Sequence, residues 1–471
     1  MFGAFATEDD DQVDPFVRVD RGATHRPPPI VIVRTVPSTP VRILASAAAT
    51  GIGGRLVGPD VEFDGASFDS RLVRPGQLFV PIVAHRNGHE YIETARSAGA
   101  VVHLTSQPGQ AAEGATSIEV ADTAAALMAL AAWARGQSVG KVVGVTGSVG
   151  KTSTKDLIAA ACASELRTAA NERSFNNEQG LPITVLNAPD DTEVLVLEMG
   201  MRGFGEITRL CDVARPDIGV VTAVGHSHTE RVGGIEGVAK AKKELVEALD
   251  ASGTAILNAD DERVLAMARH TDATVLTYGA AGDVRVSGLA LDALARPRFC
   301  VDTPWGNADV ELATSGAHMA SNAAAAIAVA GSVGVSLDAA VEALATASIS
   351  GMRMEVSTAP SGATVINDAY NANPTSMVAA LEALAAMEAD RRIAILGLMG
   401  ELDDDVEGHR EVARIAETLG VQVVATGTDF YGVRPTDDPV ALIGKFQAGD
   451  VVLVKASRSA GLERIVDQLL S

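Results

Sequence analysis

The chain has 471 residues, with 60 acidic and 38 basic side chains and a formal net charge of −22. That length fits about three domains of ordinary size. The acidic excess excludes nucleic acid or an anionic membrane as the main partner, because both require basic surface. A small anionic ligand stays compatible with this charge, since it needs only a local basic pocket.

Hydropathy and cysteine content indicate where the protein works. No apolar run has the length of a membrane span, and acidic residues stand near the start, where a secretory signal requires basic ones. Cys162, Cys211 and Cys300 lie far apart without the spacing of metal ligands, which predicts buried thiols in a reducing compartment. We therefore expect a cytoplasmic monomer that does not insert into a membrane.

Residues 1–42 predict a disordered tail, because the acidic run at 9–11 and the prolines at 27–29 break any periodicity. An isolated strand over 31–36 is the alternative. Residues 43–138 predict a small α/β domain whose apolar segments are separated by polar turns and followed by a helix. These turns and the helix are Asp69-Ser70-Arg71, Asn87-Gly88-His89 and Glu90–Ala98.

Residues 139–350 alternate strands and helices, which predicts a parallel sheet covered on both faces. The predicted elements are strands at Val142–Val145, Val194–Leu197, Ile218–Ala223, Ala255–Leu257 and Thr274–Tyr278, shorter strands over 279–312, and a helix at His318–Val333. Polar residues follow several strands, at the edge where open parallel sheets bind ligands. They are Glu198, His226, His228, Asn258 and Asp260.

Residues 351–471 alternate in the same way and predict a Rossmann-like domain without a dinucleotide-binding fingerprint. The predicted elements are strands at Thr364–Asn367, Ile393–Leu396, Val421–Ala425 and Val451–Val454, and helices at Ser376–Ala389, Arg410–Leu419 and Leu462–Leu470. The polar stretches 368–374 and 455–459 follow two of the strands. Each suits a polar ligand or an ordinary helix cap, with Ser457 as a cap for the last helix. The whole chain is predicted to be a three-domain α/β protein.

The stretch from Lys141 to Leu157 carries the clearest chemistry. A β-branched strand leads through Gly147 and Gly150 into Lys151-Thr152 and a helix. Such a turn exposes backbone N–H groups and the helix dipole to an anion. Lys151 adds a charge for the terminal phosphates and Thr152 a hydroxyl ligand for Mg²⁺. An ordinary tight turn is the alternative, but Gly-Lys-Thr after a strand favours a nucleoside triphosphate site.

Glu198 ends a strand that is predicted to lie near this loop, where a carboxylate holds Mg²⁺ directly or through water. A solvated strand end is the alternative. By spacing alone, the remaining candidates are surface residues, namely His226, His228, Lys240, Lys242 and Lys243. Residue chemistry thus indicates an α/β enzyme that uses ATP or GTP, without choosing between kinase, ligase and NTPase.

The motifs gain specificity when they are taken together and in order. They are Asp69-Ser70-Arg71, Thr146–Thr152, Phe175–Glu178, Glu198-Met199-Gly200, Gly225–His228, Ala241–Glu244, Ser321-Asn322-Ala323, Tyr370–Pro374 and Lys455–Arg458. From about residue 65 to the C-terminus the chain resembles the Mur ligase family, which builds the peptide stem of bacterial cell-wall precursors. The Asn-Ala-Asn-Pro at 371–374 is most similar to the members that add D-alanyl-D-alanine.

The resemblance implies an ATP-dependent ligase that joins D-alanyl-D-alanine to UDP-N-acetylmuramoyl-tripeptide through an acyl phosphate. It implies an N-terminal domain for the UDP-sugar, a central ATPase domain and a C-terminal domain for nucleotide and amine. The implied nucleotide contacts are Thr146, Gly147, Ser148, Val149, Gly150, Lys151, Thr152, Asn322, Arg353 and Asp368, and the implied substrate contacts are Ser70, Arg71, Asn176, Asn177, Tyr370, Asn371 and Asn373.

The resemblance also implies two Mg²⁺ sites, with Thr152, Glu198 and His228 as ligands, and catalytic roles for Lys151, Lys242 and His228. Lys242 matches a lysine that is carbamylated in many members, a change that turns an ammonium into an anion. The chain departs from the family pattern at Asn87, Ala223, Met319 and Leu398, which bears on nucleotide affinity and on the amine. The alternatives are another Mur-type ligase and a nucleotide-binding relative without ligase activity.

Overall fold

The computed structural model describes residues 40–109, 114–138, 140–171, 175–225, 229–400 and 406–471. The predictions for most of the tail, including a strand over 31–36, and for His226 and His228 lie outside these residues. Strand pairing begins within the segment predicted as tail, since Arg42 pairs with Asp64 and Pro40 bridges to Pro189.

The N-terminal part combines short strands with a few helices. Its elements are β1 (Arg42–Leu44), α1 (Ala45–Gly51), β2 (Arg55–Val57), β3 (Glu62–Asp64), β4 (Ala66–Ser67), β5 (Leu78–Phe79), α2 (Ile92–Ser97), β6 (Val102–Thr105), β7 (Thr116–Glu119) and α3 (Thr123–Arg135). A five-stranded sheet has the order β2-β7-β6-β5-β4, and β1 pairs with β3 beside it. The helix predicted from Glu90 begins as a 3₁₀ turn over 88–91 and continues as α2.

The central part is built on one large sheet. Its elements are β8 (Lys141–Thr146), α4 (Lys151–Ala163), β9 (Thr168–Ala170), α5 (Gly180–Asn187), β10 (Val194–Glu198), α6 (Glu206–Ala214), β11 (Ile218–Val221), α7 (Thr229–Val232), α8 (Ile235–Glu247), β12 (Thr254–Asn258), α9 (Glu262–Leu265), β13 (Thr274–Gly279), β14 (Val284–Leu291), β15 (Pro297–Thr303), β16 (Gly306–Glu311), α10 (Met319–Ser332) and α11 (Leu337–Ala345). The nine strands are ordered β16-β15-β14-β13-β12-β11-β8-β10-β9.

The seven strands β8 to β14 pair in parallel, and helices cover both faces of the sheet, as the alternating pattern predicts. The strands predicted over 279–312 are present, as β14, β15 and β16, which form an antiparallel extension. Only their predicted short length is wrong, because they have 8, 7 and 6 residues. Buried and exposed residues alternate along β15, so its apolar positions never form a continuous run in the sequence.

The C-terminal part repeats the layered arrangement. Its elements are β17 (Glu355–Thr358), β18 (Thr364–Asp368), α12 (Pro374–Ala386), β19 (Arg391–Leu396), α13 (Val406–Thr418), β20 (Gln422–Ala425), α14 (Pro439–Ile443), β21 (Asp450–Lys455) and α15 (Glu463–Leu470). The sheet order is β17-β18-β21-β19-β20, with only β17 antiparallel among these strands. The predicted class, a three-domain α/β protein, is confirmed.

The central part packs directly against each of the other two. Helix α3 of the N-terminal part contacts α5 and α6 of the central part. The turn between β14 and β15 reaches the C-terminal part, where Ala295 is fully buried in a cluster with Met377 and Leu381. Within the described ranges, no helix combines the length and the apolar character required to cross a bilayer.

Two cysteines behave as predicted and one does not. Cys162 and Cys211 are buried, and burial raises the pKa of each thiol to about 12. The prediction of a buried thiol is wrong for Cys300, which is exposed on β15 with its Sγ 2.9 Å from Asp309 Oδ1. The outward face of an antiparallel strand accounts for this exposure.

We expect Ala326→Leu to destabilise the central domain by about 1–3 kcal/mol, because added methylenes overpack a filled core. Ala326 is fully buried in the core that α10 shares with α4. Hydrogen exchange of the α4 and α10 amides reads the stability of this domain by itself. The control is Ala345→Leu at an exposed position of α11, which should leave exchange unchanged. Equal protection in both variants would contradict a tightly packed α10.

Candidate nucleotide-binding site

The phosphate loop joins β8 to α4, so that its backbone leads into the N-terminus of a helix. Gly147 has φ 155°, and a Cβ there would lie 1.8 Å from Thr222 Oγ1. The Thr222 hydroxyl donates to the Val149 carbonyl at 2.6 Å, and Lys151 Nζ donates to the Gly147 carbonyl at 2.7 Å. Neighbouring groups therefore hold the loop in the shape that offers N–H groups to an anion.

The loop is also hydrogen-bonded to the segment that leads to the predicted histidines. Ser148 N donates to the Ala223 carbonyl at 2.8 Å. Ser148 Oγ donates to the Gly225 carbonyl at 3.0 Å and accepts from Gly225 N at 2.9 Å. Because Ala223 takes part through its backbone, its departure from the family pattern leaves this contact intact.

Glu198 lies at the end of β10, beside the phosphate-loop strand, and is 2% exposed. Thr152 Oγ1 donates to its Oε2 at 2.6 Å, and Asn176 Nδ2 donates to its Oε1 at 2.7 Å. The alternative of a solvated strand end is therefore wrong. Hydroxyl and carboxylate oxygens are hard donors, and Mg²⁺ completes such a site with water and phosphate oxygens. The residues present thus fit Mg²⁺.

The described residues contain no group of three or more His, Cys, Asp or Glu side chains arranged to hold a metal ion.

Two residues that support this carboxylate were not identified from the sequence. Asn171 Oδ1 accepts from Glu198 N at 2.8 Å, and the Asn171 carbonyl accepts from Lys155 Nζ at 2.6 Å. Lys155 is buried and also pairs with Asp156 at 2.8 Å, whose Oδ2 accepts from Ser350 N at 2.7 Å. The signal that was available is a charged residue on an otherwise buried helix face and a polar residue directly after a strand.

The three lysines in the middle of α8 have different surroundings. Lys240 is exposed, with its Nζ 5.1 Å from the centre of the Phe204 ring, and Lys243 pairs with Glu247 at 2.7 Å. Lys242 is only 3% exposed. The interpretation of a solvated charged face is therefore wrong for Lys242, because positions 238, 241, 242 and 245 of the helix turn inward. A buried lysine requires compensating partners or a change in its charge.

Asn322 lies in the first turn of α10, next to the phosphate loop. Its Oδ1 is 2.9 Å from the position that a Cβ on Gly150 would occupy. Its Nδ2 lies 3.5 Å from the sulfur of Met319, which is fully buried. The structure therefore brings the predicted adenine contact to the N-terminus of α4, and Met319 packs behind it.

Asp368 is paired inside the C-terminal domain. Lys455 Nζ donates to Asp368 Oδ2 at 2.6 Å and to the Asn371 carbonyl at 2.8 Å. Met354 N donates to Asp368 Oδ1 at 3.2 Å. The pair joins the ends of β18 and β21, which are neighbours in the sheet. The sequence did not indicate this ion pair.

The stretch 370–374 begins with the partly exposed residues Tyr370 and Asn371 and ends with Asn373, which caps a helix. The Arg353 guanidinium stacks 4.3 Å from the centre of the Tyr370 ring. Asn373 is 2% exposed, and its Oδ1 accepts from Ser376 N at 3.0 Å as the cap of α12. The helix-cap alternative therefore holds for Asn373. The cap proposed for Ser457 is wrong, because its Oγ accepts from Gly400 N at 2.7 Å and does not cap the last helix.

The predicted substrate residues of the N-terminal domain lie near the loop before α5. Arg71 binds Asp69 with two hydrogen bonds of 2.9 and 2.6 Å. Burial alone would raise the pKa of the Asp69 carboxyl, but the hydrogen bonds from Arg71 hold that pKa below its usual value. The Phe68 ring lies 6.2 Å from the Phe175 ring, which places the turn containing Ser70 against the loop of residues 175–177.

The C-terminal domain reaches the same place from the other side. Thr375 Oγ1, at the start of α12, lies 2.9 Å from the position that a Cβ on Gly225 would occupy. Because Gly225 is bonded to Ser148 of the phosphate loop, residues from two domains border the candidate nucleotide site. The fold and the site together define a nucleotide-binding enzyme with a phosphate loop and a second domain facing it.

Comparison with known proteins agrees with this class. The Mur ligase middle domain matches residues 145–330, and the Mur ligase, glutamate ligase domain matches residues 352–467. The chain belongs to the Mur ligase family. It is 39% identical to the UDP-N-acetylmuramoyl-tripeptide–D-alanyl-D-alanine ligase of Mycobacterium tuberculosis, over 86% of this chain and 91% of that protein. Identity to the Escherichia coli enzyme of the same name is 32%, over 89% and 96%.

Solved structures give the same result. The MurF of Acinetobacter baumannii aligns with a TM-score of 0.84 and 27% identity, covering 92% of this chain and 99% of that one. The MurF of Thermotoga maritima in complex with ADP aligns with a TM-score of 0.76 and 27% identity, covering 86% and 96%.

We expect Lys455→Met to destabilise the C-terminal domain by about 3–5 kcal/mol, because it leaves the Asp368 carboxylate buried without its counter-ion. The double variant Lys455→Met, Asp368→Asn removes both charges and should recover most of this loss. Hydrogen exchange of β18 and β21 is the measurement. Lys445→Met, at an exposed lysine of the same domain, is the matched control and should be silent. A single variant as stable as the control would show that the pair is dispensable.

Proposed function

We propose that this protein is an ATP-dependent peptide ligase that adds D-alanyl-D-alanine to UDP-N-acetylmuramoyl-tripeptide during synthesis of peptidoglycan precursors. One observation carries the proposal. Thr152 of the phosphate-loop helix and Asn176 of the predicted substrate loop both bind the buried carboxylate of Glu198. A nucleotide-side group and a substrate-side group thus meet at one carboxylate, in a chain whose curated relatives are named for this reaction.

The nucleotide part of the proposal concerns the phosphate loop and the residues around it. Backbone N–H groups of the loop and the N-terminus of α4 favour a polyphosphate. We assign Thr146 to Thr152 to the phosphates, Asn322 to the adenine, Arg353 to a phosphate and Asp368 to the ribose. Lys455 orients the Asp368 carboxylate through their 2.6 Å bond. A related structure contains ADP, which supports the choice of an adenine nucleotide.

The metal part of the proposal rests on the oxygen donors beside the loop. Thr152, Glu198 and His228 would hold Mg²⁺, with two sites in all. When bound, Mg²⁺ neutralises charge that develops on the transferring phosphoryl group. Asn176 fixes the orientation of the Glu198 carboxylate from the substrate side, at 2.7 Å. Asn171 accepts from the backbone N–H of Glu198, so this residue is held at its backbone as well as at its carboxylate.

The reaction is proposed to pass through an acyl phosphate. A carboxylate is a poor acyl donor, so the terminal carboxylate of the tripeptide first attacks the γ-phosphorus of ATP and ADP leaves. The charge of Lys151 and the loop N–H groups stabilise the transferring phosphoryl group. The free amine of D-alanyl-D-alanine then attacks the acyl carbon, and the tetrahedral intermediate collapses with loss of phosphate. This chain contributes positioning and electrostatic stabilisation in both steps.

The three domains divide the substrates between them in this proposal. Residues 43–138, with Ser70 and Arg71, would bind the UDP-sugar, and residues 139–350 would bind ATP. Residues 351–471 would bind the incoming amine through Tyr370 and Asn371, with Asn373 shaping that turn as the cap of α12. We further propose that the protein works as a monomer in the cytoplasm.

A phosphate-release assay tests the function. UDP-N-acetylmuramoyl-tripeptide and ATP are supplied with and without D-alanyl-D-alanine, and the dipeptide should be required for steady release and incorporated into the product. Release that depends on a different amino acid would instead identify another Mur-type ligase. Nucleotide binding without turnover for any amine would identify a relative without ligase activity.

Lys151→Ala should abolish turnover while leaving the fold intact, because its charge stabilises the phosphoryl group in transfer. Removal of one preorganised electrostatic donor typically lowers kcat by about 10²–10³-fold, and we expect a loss at least this large. The control is Lys141→Ala at the exposed start of β8, the strand that precedes the phosphate loop, and it should retain normal rates. Substantial dipeptide-dependent ATP hydrolysis by the Lys151 variant would contradict the assignment of the phosphate loop.

Lys242 and Lys243 form a matched pair that tests carbamylation. We propose that the amine of the buried Lys242 adds CO₂ with release of a proton, and that the resulting carbamate anion supplies negative charge to a Mg²⁺ site. Lys242→Ala should then lose activity by about 10²-fold. Lys242→Glu should recover part of it, and Lys243→Ala should be nearly silent. Equal, small effects at both lysines would return Lys242 to a structural role.

A further inference from the structure

We propose that Asn187 is a positioning residue that sets the distance between the N-terminal domain and the phosphate loop. This inference rests on the proposed function, because it concerns how one substrate is held by two domains. Asn187 is the last residue of α5 and is 9% exposed. It belongs to none of the sequence motifs that indicated the function.

The Asn187 side chain binds the backbone of the N-terminal domain as a neighbouring strand would. Its Oδ1 accepts from Ala66 N at 3.0 Å, and its Nδ2 donates to the Ala66 carbonyl at 2.9 Å. Gln77 Nε2 approaches the same Oδ1 at 3.3 Å. All three residues are buried, so water does not replace these bonds and their geometry is fixed.

The preceding residue of the N-terminal domain is shaped for this contact. Gly65 has φ +77°, a conformation that L side chains rarely adopt. A Cβ on Gly65 would lie 2.2 Å from Asn187 Oδ1. The two domains can therefore approach this closely only with glycine at position 65. A substitution at Gly65 thus perturbs the same contact from the side of the N-terminal domain.

Helix α5 connects this contact to the candidate metal site. At its N-terminus, Asn177 Oδ1 accepts from Gly180 N at 2.9 Å, and the adjacent Asn176 binds Glu198. At its C-terminus, Asn187 binds the strand that continues into Phe68 and the turn with Ser70 and Arg71. One short helix thus connects the loop whose Asn176 binds Glu198 to the N-terminal domain, which is proposed to bind the UDP-sugar.

The chemistry makes this distance important. The UDP-linked peptide is bound by its nucleotide in one domain and reacts at its far carboxylate in another. An error of about 1 Å in the placement of reacting groups can cost about 10²-fold in rate. The hydrogen bonds between Asn187 and Ala66, called the clamp below, keep the terminal carboxylate of the peptide within reach of the γ-phosphate. The binding of ATP alone does not depend on this clamp.

The experiment compares Asn187→Ala, Asn187→Asp and Gly65→Ala in the full-length protein. Asp can accept from Ala66 N but cannot donate to the Ala66 carbonyl, so it removes half of the clamp. We expect each variant to raise KM for UDP-N-acetylmuramoyl-tripeptide or to lower kcat by about tenfold, in keeping with the loss of a buried hydrogen-bonded contact. The affinity for ADP, measured by calorimetry, should stay within about twofold of the wild type, as should KM for D-alanyl-D-alanine, since the clamp adds no contact to either ligand.

Two controls separate positioning from stability. Ile183→Val removes one buried methylene from α5 and should lower the melting temperature without changing KM. Asn307→Ala, at an exposed asparagine of β16, should change nothing.

Unchanged KM and kcat in all three clamp variants would overturn the inference. A rise in KM for Ile183→Val as large as that for Asn187→Ala would also overturn it, as would an equal loss of ADP affinity, because each indicates general destabilisation. Dipeptide-dependent phosphate release by the wild type establishes the proposed function separately. Its absence would overturn the function and the clamp together, whereas its presence with unaffected variants would overturn the clamp alone.

Discussion

The hydrogen-bonded carboxylate of Glu198 is the interaction on which the rest of the candidate site depends. It is almost completely buried, and a charge in that position is tolerated only when its oxygens have partners. Thr152 supplies one partner from the phosphate-loop helix, and Asn176 supplies the other from the loop before α5. The same contacts that satisfy the charge therefore bring together the phosphate-loop helix and the loop that is proposed to bind the substrate.

Buried lysines extend this organisation away from the phosphate loop. Lys155 binds the carbonyl of Asn171, the residue that holds the backbone of Glu198, and Lys455 binds Asp368 at the edge of the C-terminal sheet. Each lies beside a strand end, where the parallel sheets leave polar groups unpaired. Lys242 is buried in the same manner on α8. The buried lysines Lys155 and Lys455 fix the positions of their partners through hydrogen bonds. Replacement of either lysine therefore changes the local geometry as well as the charge.

The domains are joined by specific polar contacts as well as by apolar packing. Asn187 of the central domain pairs with the backbone of Ala66 in the N-terminal domain. Glu388 N of the C-terminal domain donates to the Ala293 carbonyl of the central domain at 3.4 Å. Hydrogen bonds fix direction and distance, whereas apolar surfaces permit sliding. A ligase whose substrates lie in different domains benefits from this difference, because reacting groups must meet within a fraction of an ångström.

The sequence by itself determined the parallel strands, the helix after the phosphate loop and the position of Glu198 at a strand end near that loop. These follow from local patterns, namely continuous β-branched runs, a glycine-rich turn and polar residues at strand ends. Tertiary structure decided the length of the antiparallel strands, the burial of Lys242, the pairing of Asp368 with Lys455 and the clamp at Asn187. Each of these depends on which residues of distant segments become neighbours, and burial turns an ordinary lysine or asparagine into a structural contact only after those segments have packed.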